Sequence, residues 1–214
     1  MLTLYDYLPS RNAWKVRQLL HHLQRPYRTE HVSIFEGEGR REGFLRLSPT
    51  GTVPAIVLDD GRALAESNAI LGYLADDTAY LPADAFGRAK VWQWLGFEQE
   101  RIESQVGALR HWTLTGKLAR REPALVAAKQ AGALRALAIL DAQFARRRFI
   151  AGDAYTIADI ALFAYASRAD EADGLSLQPH AHLRGWIDRV RAQPRFLDET
   201  FAYSIDPHST RELP

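Results

Sequence analysis

The spacing of apolar residues predicts alternating strands and helices over roughly the first 80 residues. Residues 2–5 form a short β-prone run, which ends before the turn-forming Pro9. From Asn12 the apolar positions follow a helical period, and Arg25 and Pro26 end that helix. Residues 27–34 predict a second strand.

A hairpin and a helix complete this first pattern. A glycine-containing polar loop at 35–41 leads to a short helical turn at 44–47. Two strands are predicted at 54–58 and 62–64, joined by the turn pair Asp60-Gly61. A helix follows from Glu66 to Ala75. The order βαβ followed by ββα predicts helices packed on a mixed sheet, as an α/β domain over residues 1–80.

Beyond this region the pattern is helical and no strand pattern returns. Residues 88–117 and 122–145 carry apolar side chains three to four positions apart, among them Val91, Leu95, Ile102, Val106, Leu137 and Leu140. The stretch 76–86 is the natural linker. We therefore expect an all-α C-terminal domain over residues 87–203.

Composition excludes several classes of function. The 27 Lys and Arg residues nearly balance the 26 Asp and Glu residues, so the net charge is +1 and no long basic run occurs. This charge pattern is not that of a nucleic-acid-binding protein. The chain has no cysteine, which excludes disulfides, thiolate metal sites and a protein thiol nucleophile. The seven histidines show no ligand spacing, and we expect no metal site.

The N-terminus lacks the basic start and apolar core of a secretory signal. No stretch approaches the ~18 uncharged apolar residues that a membrane span needs. We therefore expect a soluble cytoplasmic protein that does not engage a membrane.

Ser10 and Asn12 stand at the junction of the first strand and the first helix. A serine at this position commonly caps the helix by accepting a bond from a backbone N–H. The same helix start offers free N–H donors and a partial positive charge, which stabilise an anion. A hydroxyl and an amide there are able to donate to a thiolate, whose parent thiol has an ordinary pKa of about 8.5. The residues alone leave both interpretations open.

Two further segments combine a structural and a ligand-binding interpretation. Pro54 belongs at a strand start, but a cis Val53–Pro54 bond would free the backbone of Val53 for an extended peptide-like ligand. Glu66 and Ser67 are ordinary residues for a first helical turn. They also match a ligand that carries an ammonium and a carboxylate on one carbon.

The run from Thr156 to Asp159 has the pattern of a capping box. Tyr155 before it and Ile160 after it are placed for a hydrophobic staple. This motif predicts a stable helix start in the second domain and carries no chemistry.

The order and spacing of these segments closely resemble the cytosolic bacterial glutathione transferases with a serine/asparagine-type active site. In the first domain the resemblance is carried by Leu4-Tyr5-Asp6-Tyr7, Ser10-Arg11-Asn12-Ala13-Trp14-Lys15-Val16-Arg17, Ser48-Pro49-Thr50-Gly51-Thr52-Val53-Pro54 and Glu66-Ser67-Asn68-Ala69-Ile70. In the second domain it is carried by residues 94–99 and 149–160. The resemblance implies a thioredoxin-like N-terminal domain, an all-α C-terminal domain and a homodimer.

The resemblance also implies roles for individual residues. Ser10 would hydrogen-bond and activate the glutathione sulfur, with Asn12 assisting or replacing it. Tyr5 and Tyr7 are the alternative hydroxyls, but they precede the turn, so Ser10 fits the family pattern better.

The other implied contacts hold the rest of the tripeptide. The main chain of Val53, next to Pro54, would bind the cysteinyl part. Glu66 and Ser67 would hold the γ-glutamyl end. The loop 38–41 would face the glycyl carboxylate, with Arg40 as the preferred cation.

The predicted function is a glutathione transferase that presents the glutathione thiolate to a small hydrophobic electrophile. One alternative is a glutathione-dependent reductase of disulfides or peroxides. Another is a non-catalytic adaptor with the same fold, and a third is an isomerase or dehalogenase that uses glutathione as cofactor. The sequence does not name the second substrate.

Overall fold

A four-stranded mixed sheet organises the N-terminal part of the computed structural model, which describes residues 1–213. The strands are β1 (Leu2–Asp6), β2 (Tyr27–His31), β3 (Ala55–Val57) and β4 (Ala63–Ala65). Their spatial order is β2–β1–β3–β4, with β1 parallel to β2 and antiparallel to β3. In this register Leu4 pairs with Thr29 on one side and Ile56 on the other.

Three helices accompany the sheet: α1 (Arg11–His22), α2 (Glu42–Leu45) and α3 (Ser67–Ala75). Helix α1 makes the crossover that two parallel strands require. It packs against α3, and five apolar side chains of the two helices are fully buried: Val16, Leu19, Leu20, Ile70 and Leu71. The strand predicted over 27–34 ends at His31, because the chain turns into a 3-10 segment at Ile34–Glu36.

The rest of the chain is helical through Arg191. It contains α4 (Ala85–Phe97), α5 (Ala108–Leu114), α6 (Pro123–Phe144), α7 (Ile157–Ala166) and α8 (Ala181–Arg191). A π-helical segment, Glu98–Gly107, joins α4 to α5 with helical backbone angles at both ends. The predicted helix 88–117 is therefore one rod whose middle is wound more loosely. The α/β and all-α parts agree with the predicted fold class.

By contacts the chain forms one unit of Met1–Asp76 with the segment from Pro194 onward, and a second unit of Asp77–Gln193. The expected domain limits, 1–80 and 87–203, stay a prediction. The two divisions differ at residues 194–203, which have no helical or strand period and which contact the N-terminal unit.

Within residues 1–213, helix α6 is the one helix that is long and apolar enough to cross a membrane by length and composition. Only 22% of its most apolar window is buried. The helix also makes polar contacts inside its own unit. The Lys129 ammonium donates to the Ser104 carbonyl at 2.7 Å, and the Asp141 carboxylate accepts from the Leu183 N–H at 2.9 Å.

Four hydrogen-bond donors at and around the start of α7 meet one buried carboxylate, that of Asp159. The backbone N–H groups of Ile150 and Thr156 donate to it at 2.9 and 3.0 Å, and the indole N–H of Trp186 donates at 2.9 Å. The Thr156 hydroxyl donates to the same carboxylate at 3.2 Å, and the predicted capping box is present at this helix start. Burial raises the pKa of Asp159 to about 6, although the four hydrogen bonds act to lower it. The carboxylate is therefore ionised at neutral pH.

A buried guanidinium, that of Arg17, joins three parts of the N-terminal unit. Its Nη1 lies 2.6 and 2.7 Å from the two carboxylate oxygens of Asp6 at the end of β1. Its Nη2 donates to the Leu8 carbonyl at 3.0 Å, and its Nε donates to Glu199 at 2.5 Å. Burial raises the pKa of Asp6, and the Arg17 charge counteracts that rise.

The segment from Pro194 onward follows α1 through further polar contacts. Gln18 bonds in both directions with this segment, donating to the Arg195 carbonyl at 3.3 Å and accepting from the Leu197 N–H at 2.7 Å. The imidazole of His22 donates to the Pro194 carbonyl at 3.0 Å. Burial lowers the pKa of His22 to about 4, so the ring is neutral when it makes this bond.

We predict that Asp159→Ala lowers the free energy of unfolding by roughly 3 kcal/mol or more, because it leaves several buried donors without an acceptor. Urea unfolding measures this loss. Asp188→Ala is the control, since that carboxylate is exposed and its ion pair with Arg191 is 3.9 Å long; its effect should stay below about 0.5 kcal/mol.

We also expect the loss of unfolding free energy to depend on pH in Asp159→Ala but not in Asp188→Ala. Because the folded pKa of Asp159 exceeds its unfolded value, the folded state binds the extra proton. The contribution of this carboxyl to stability should therefore fall as pH rises from about 4 to about 6 and stay constant above. An equal loss of unfolding free energy in Asp159→Ala and Asp188→Ala at every pH would contradict the raised pKa of Asp159.

Candidate functional site

A cavity of about 190 Å³ opens beside the start of α1 in the N-terminal unit. Its lining residues come from five separate stretches of the chain: Ser10, Asn12, Ile34, Gly39, Arg40, Gly51, Thr52, Val53 and Leu213. Four of the seven residues singled out from the sequence thus line one cavity.

Ser10 is the N-cap of α1, as its structural interpretation predicts, and it also lines the cavity. Its Oγ accepts from the Ala13 N–H at 3.2 Å, and its own N–H donates to the Tyr7 carbonyl at 2.8 Å. Because Oγ acts as an acceptor in the cap, its proton is available to a second partner. Capping and donation to an anion are therefore compatible in this residue.

Asn12 lies one residue inside the helix and lines the same cavity. A side-chain amide brings two N–H donors. Together with the first backbone N–H groups of α1 and their partial positive charge, it makes this end of the cavity suited to a negatively charged atom.

Arg40 supplies the cavity's cation. Its side chain is largely exposed, and its Nη1 donates to the Thr50 carbonyl at 3.0 Å. The neighbouring Arg41 instead pairs with Glu38 at 2.8 Å and does not belong to the cavity lining. The preference for Arg40 over Arg41 therefore has a geometric basis.

A close backbone approach between Gly39 and Gly51 holds Arg40 next to the loop that follows α2. A Cβ on Gly51 would lie 2.7 Å from the Gly39 carbonyl oxygen, and one on Gly39 would collide with the Gly51 carbonyl oxygen. Gly51 also has a φ of +70°. Only glycine meets both demands at this position.

Val53 lines the cavity, and Pro54 follows it as a buried residue directly before β3. The peptide bond between them is cis. Thr52 stands before them on the cavity wall, and its hydroxyl exchanges a 2.8 Å hydrogen bond with that of Thr50.

Glu66 and Ser67 lie at the start of α3 and do not belong to the cavity lining. Glu66 is exposed, has a φ of 66° and accepts from the Thr50 hydroxyl at 3.4 Å, so it is linked to the cavity rim. Ser67 is buried, and the Lys15 ammonium lies 3.5 Å from its hydroxyl oxygen.

Lys15 is a fully buried lysine, which is uncommon. Its ammonium places a positive charge behind the Ser67 hydroxyl. An oxygen that accepts from an ammonium has its own proton free to donate outward, as recognition of a carboxylate requires.

Tyr7 and Tyr5 do not line the cavity. Tyr7 is buried, and its hydroxyl donates to Asp206 at 3.1 Å. Burial and the Asp206 charge raise the pKa of Tyr7 well above its ordinary value. A phenol held in this way is a poor activator of a thiol, which supports Ser10 as the better candidate.

The sequence analysis assigned no individual role to five residues at or behind the site. Gly39 and Gly51 carry a loop signal, but their mutual contact is not visible in the sequence. The other three had no such signal: Ile34 lay in a predicted strand, Lys15 was named only within the run that carries the family resemblance, and Leu213 lies in a stretch without a pattern.

The arrangement can bind an extended anion. Its lining combines hydroxyl, amide and helix N–H donors with a guanidinium. Among residues 1–213, no group of three or more His, Asp or Glu side chains is placed to hold a metal ion.

Two family models match the chain in sequence order. The N-terminal domain of glutathione S-transferase matches residues 9–77, and the C-terminal domain of glutathione S-transferase matches residues 103–194. Together they cover most of the chain, and they agree with a thioredoxin-like domain followed by a helical one.

A glutathione S-transferase structure from Pseudomonas fluorescens is 34% identical and has a TM-score of 0.88, covering 92% of this chain and 97% of that one. A glutathione transferase family member from the same species, solved with two glutathione molecules bound, is 28% identical with a TM-score of 0.80 over 91% and 89% of the two chains. The disulfide-bond oxidoreductase YfcG of Escherichia coli is 29% identical over 91% of this chain and 92% of the relative. These similarities confirm the predicted fold.

We predict that Gly51→Ala destabilises the N-terminal unit by roughly 2 kcal/mol, because alanine is strained at the positive φ and its Cβ clashes with the Gly39 carbonyl oxygen. Thermal and urea unfolding measure the loss. Gly43→Ala is the matched control, since no atom lies within 4 Å of its added Cβ and helix α2 favours alanine. Equal effects at the two glycines would show that the close approach does not matter.

Proposed function

The chain belongs to the glutathione S-transferase family, and from this premise we propose that it activates the glutathione thiol for attack on a small electrophile. Glutathione is the co-substrate, as relatives solved with bound glutathione support. The observation that carries the proposal is that Ser10 and Asn12 share one cavity at the N-terminus of α1.

Sulfur activation follows from the donors at that end of the cavity. The Ser10 hydroxyl, the Asn12 amide and the helix N-terminus all stabilise a negative sulfur more than a neutral one. A combined lowering of the thiol pKa by roughly two units would make most of the bound glutathione a thiolate at neutral pH.

The other residues singled out from the sequence bind the remaining parts of the tripeptide. Arg40 binds the glycyl carboxylate, because a guanidinium is suited to bidentate carboxylate recognition. The backbone of Val53, next to Pro54, pairs with the cysteinyl part. Glu66 accepts from the γ-glutamyl ammonium, and Ser67 donates to its carboxylate.

The reaction is positioning plus electrostatic stabilisation. The thiolate attacks an electrophilic carbon, a carbon–sulfur bond forms, and the leaving group departs with the electron pair of the broken bond. No covalent intermediate with the protein is required. We further propose that the enzyme acts in the cytoplasm as a homodimer, without nucleic acid, membrane or metal.

We predict that the thiol of bound glutathione ionises well below its ordinary pKa of about 8.5, and that Ser10→Ala or Asn12→Ala raises this pKa by about one unit. The ultraviolet absorbance of the thiolate, followed against pH, measures the pKa. Ser176→Ala is the control, because Ser176 is exposed and lies in the other unit.

Ser10→Ala also removes a helix cap, which costs about 1 kcal/mol, so the titration is run on samples shown to be folded. A wild-type pKa equal to that of free glutathione would contradict the proposal. Failure of glutathione to bind would favour a non-catalytic adaptor with this fold.

A second candidate function is the reduction of disulfides by glutathione. It is favoured by the similarity to a disulfide-bond oxidoreductase and by a relative that holds two glutathione molecules. Because this chain has no cysteine, both electrons must come from glutathione. One thiolate attacks the substrate disulfide and releases a thiol, and a second glutathione attacks the mixed disulfide, which gives oxidised glutathione and another thiol.

The two reactions are separated by their products. We expect conjugation of an aryl halide to release halide and to lose at least tenfold in kcat/KM in Ser10→Ala, corresponding to about 1.4 kcal/mol. A dialkyl disulfide assayed with the same protein reports oxidised glutathione. Turnover of the disulfide without conjugation would replace the transferase proposal by the reductase.

A further inference from the structure

The first and third helices bring two buried polar side chains together in the N-terminal unit. Lys15 lies in the first half of α1 and is fully buried, and Ser67 is the first residue of α3 and is buried as well. The Lys15 Nζ lies 3.5 Å from the Ser67 Oγ, and both residues belong to one unit. The packing of α1 against α3 therefore holds a positive charge next to the start of α3.

The charge of Lys15 is not needed to fill space at this position. A lysine is rarely buried, because its ammonium loses its hydration there. A methionine is similarly long and unbranched, and it packs in a protein interior without a charge. Lys15 takes part in further contacts besides that with Ser67, so a test has to separate a role in stability from a role in binding.

The start of α3 carries donors and no carboxylate of its own. Its first turn contains no acidic residue. Glu66, which precedes the helix, makes no side-chain capping bond, and its carboxylate instead accepts from the Thr50 hydroxyl at 3.4 Å. A helix start of this kind favours a negative group, and the Ser67 hydroxyl is able to donate to one while its oxygen accepts from Lys15. We expect that negative group to come from the ligand.

We propose that Lys15 is a positioning residue that makes the Ser67 subsite selective for a carboxylate. This inference rests on the proposed function and adds a cause of substrate selection: the enzyme prefers thiols that carry an α-carboxylate at the γ-glutamyl end over thiols without one. The ammonium orients the Ser67 hydroxyl toward the ligand and adds its own attraction for the negative charge. Because the ammonium is buried, salt screens this attraction little.

The test compares the binding of glutathione with that of γ-aminobutyryl-cysteinylglycine, which differs only in lacking the α-carboxylate. We expect the wild-type protein to bind glutathione more tightly, as measured by calorimetry. Lys15→Met should raise the glutathione Kd by about tenfold and leave the Kd of the analogue nearly unchanged, because only glutathione carries the charge that Lys15 attracts.

Gln18→Met is the matched control. Gln18 is also buried in α1, but it bonds to Arg195 and Leu197 in the C-terminal segment. This change should alter the Kd values of the two ligands by the same factor. If Lys15→Met likewise leaves the ratio of the two Kd values unchanged, Lys15 has only a structural role and the inference is overturned.

Steady-state kinetics give a second readout of the same variant. At saturating glutathione, Lys15→Met should keep the wild-type kcat and raise the KM for glutathione, because it removes an interaction made equally in the ground state and the transition state. A lowered kcat with an unchanged KM would contradict a role in binding the γ-glutamyl end.

Ser67→Ala decides the question if Lys15→Met does not fold. It keeps the ammonium, so glutathione should still bind about threefold or more tightly than the analogue. Complete loss of this preference would show that the hydroxyl alone selects the carboxylate, and would overturn the inference. Wild-type protein that binds both ligands equally would overturn the inference and leave sulfur activation standing. Wild-type protein that binds neither would overturn the proposed function as well.

Discussion

The buried guanidinium of Arg17 is the interaction on which the geometry of the N-terminal unit depends. It bonds to Asp6 at the end of β1, to the Leu8 carbonyl in the following loop and to Glu199 in the C-terminal segment. Burying these charges is costly, and the cost is offset only while all partners are in place. The loop it holds is the one that presents Ser10.

Helix α1 connects the anchor at Arg17 to the donors of the cavity. Its first turn supplies the donors of the cavity, its middle carries Arg17 and the buried Lys15, and its last turn holds the Pro194 carbonyl through His22. One helix therefore fixes the sulfur end of the site, the support of Ser67 and the path of the C-terminal segment. A small displacement of this helix would therefore change the sulfur end of the site, the support of Ser67 and the path of the C-terminal segment at the same time.

The sequence was sufficient for the features that depend on local spacing. The βαβ–ββα order, the helical second half and the capping box at Asp159 follow from residue periods and cap chemistry, and the structure has them. Ser10, Asn12 and Val53 were singled out because they stand at strand and helix junctions, and Arg40 through the family resemblance; all four line the cavity, and their roles stay predictions.

Features that depend on distant contacts were out of reach. The Trp186 indole on Asp159, the Lys15 ammonium behind Ser67 and Leu213 at the cavity join positions between 27 and about 200 residues apart, and no period records such pairs. The 3-10 turn at Ile34 was missed for a different reason: its apolar residues continue the pattern of the preceding strand.

The discontinuity of the N-terminal unit has a consequence for how the molecule is assembled during translation. The helical unit is one uninterrupted stretch, Asp77–Gln193, and all of it is synthesised before Leu197 and Glu199, which bond to Gln18 and Arg17. The sheet emerges first but must wait for Glu199 and Leu197 to complete its contacts. In this chain the portion synthesised earliest therefore completes its contacts only after the whole helical unit has been made.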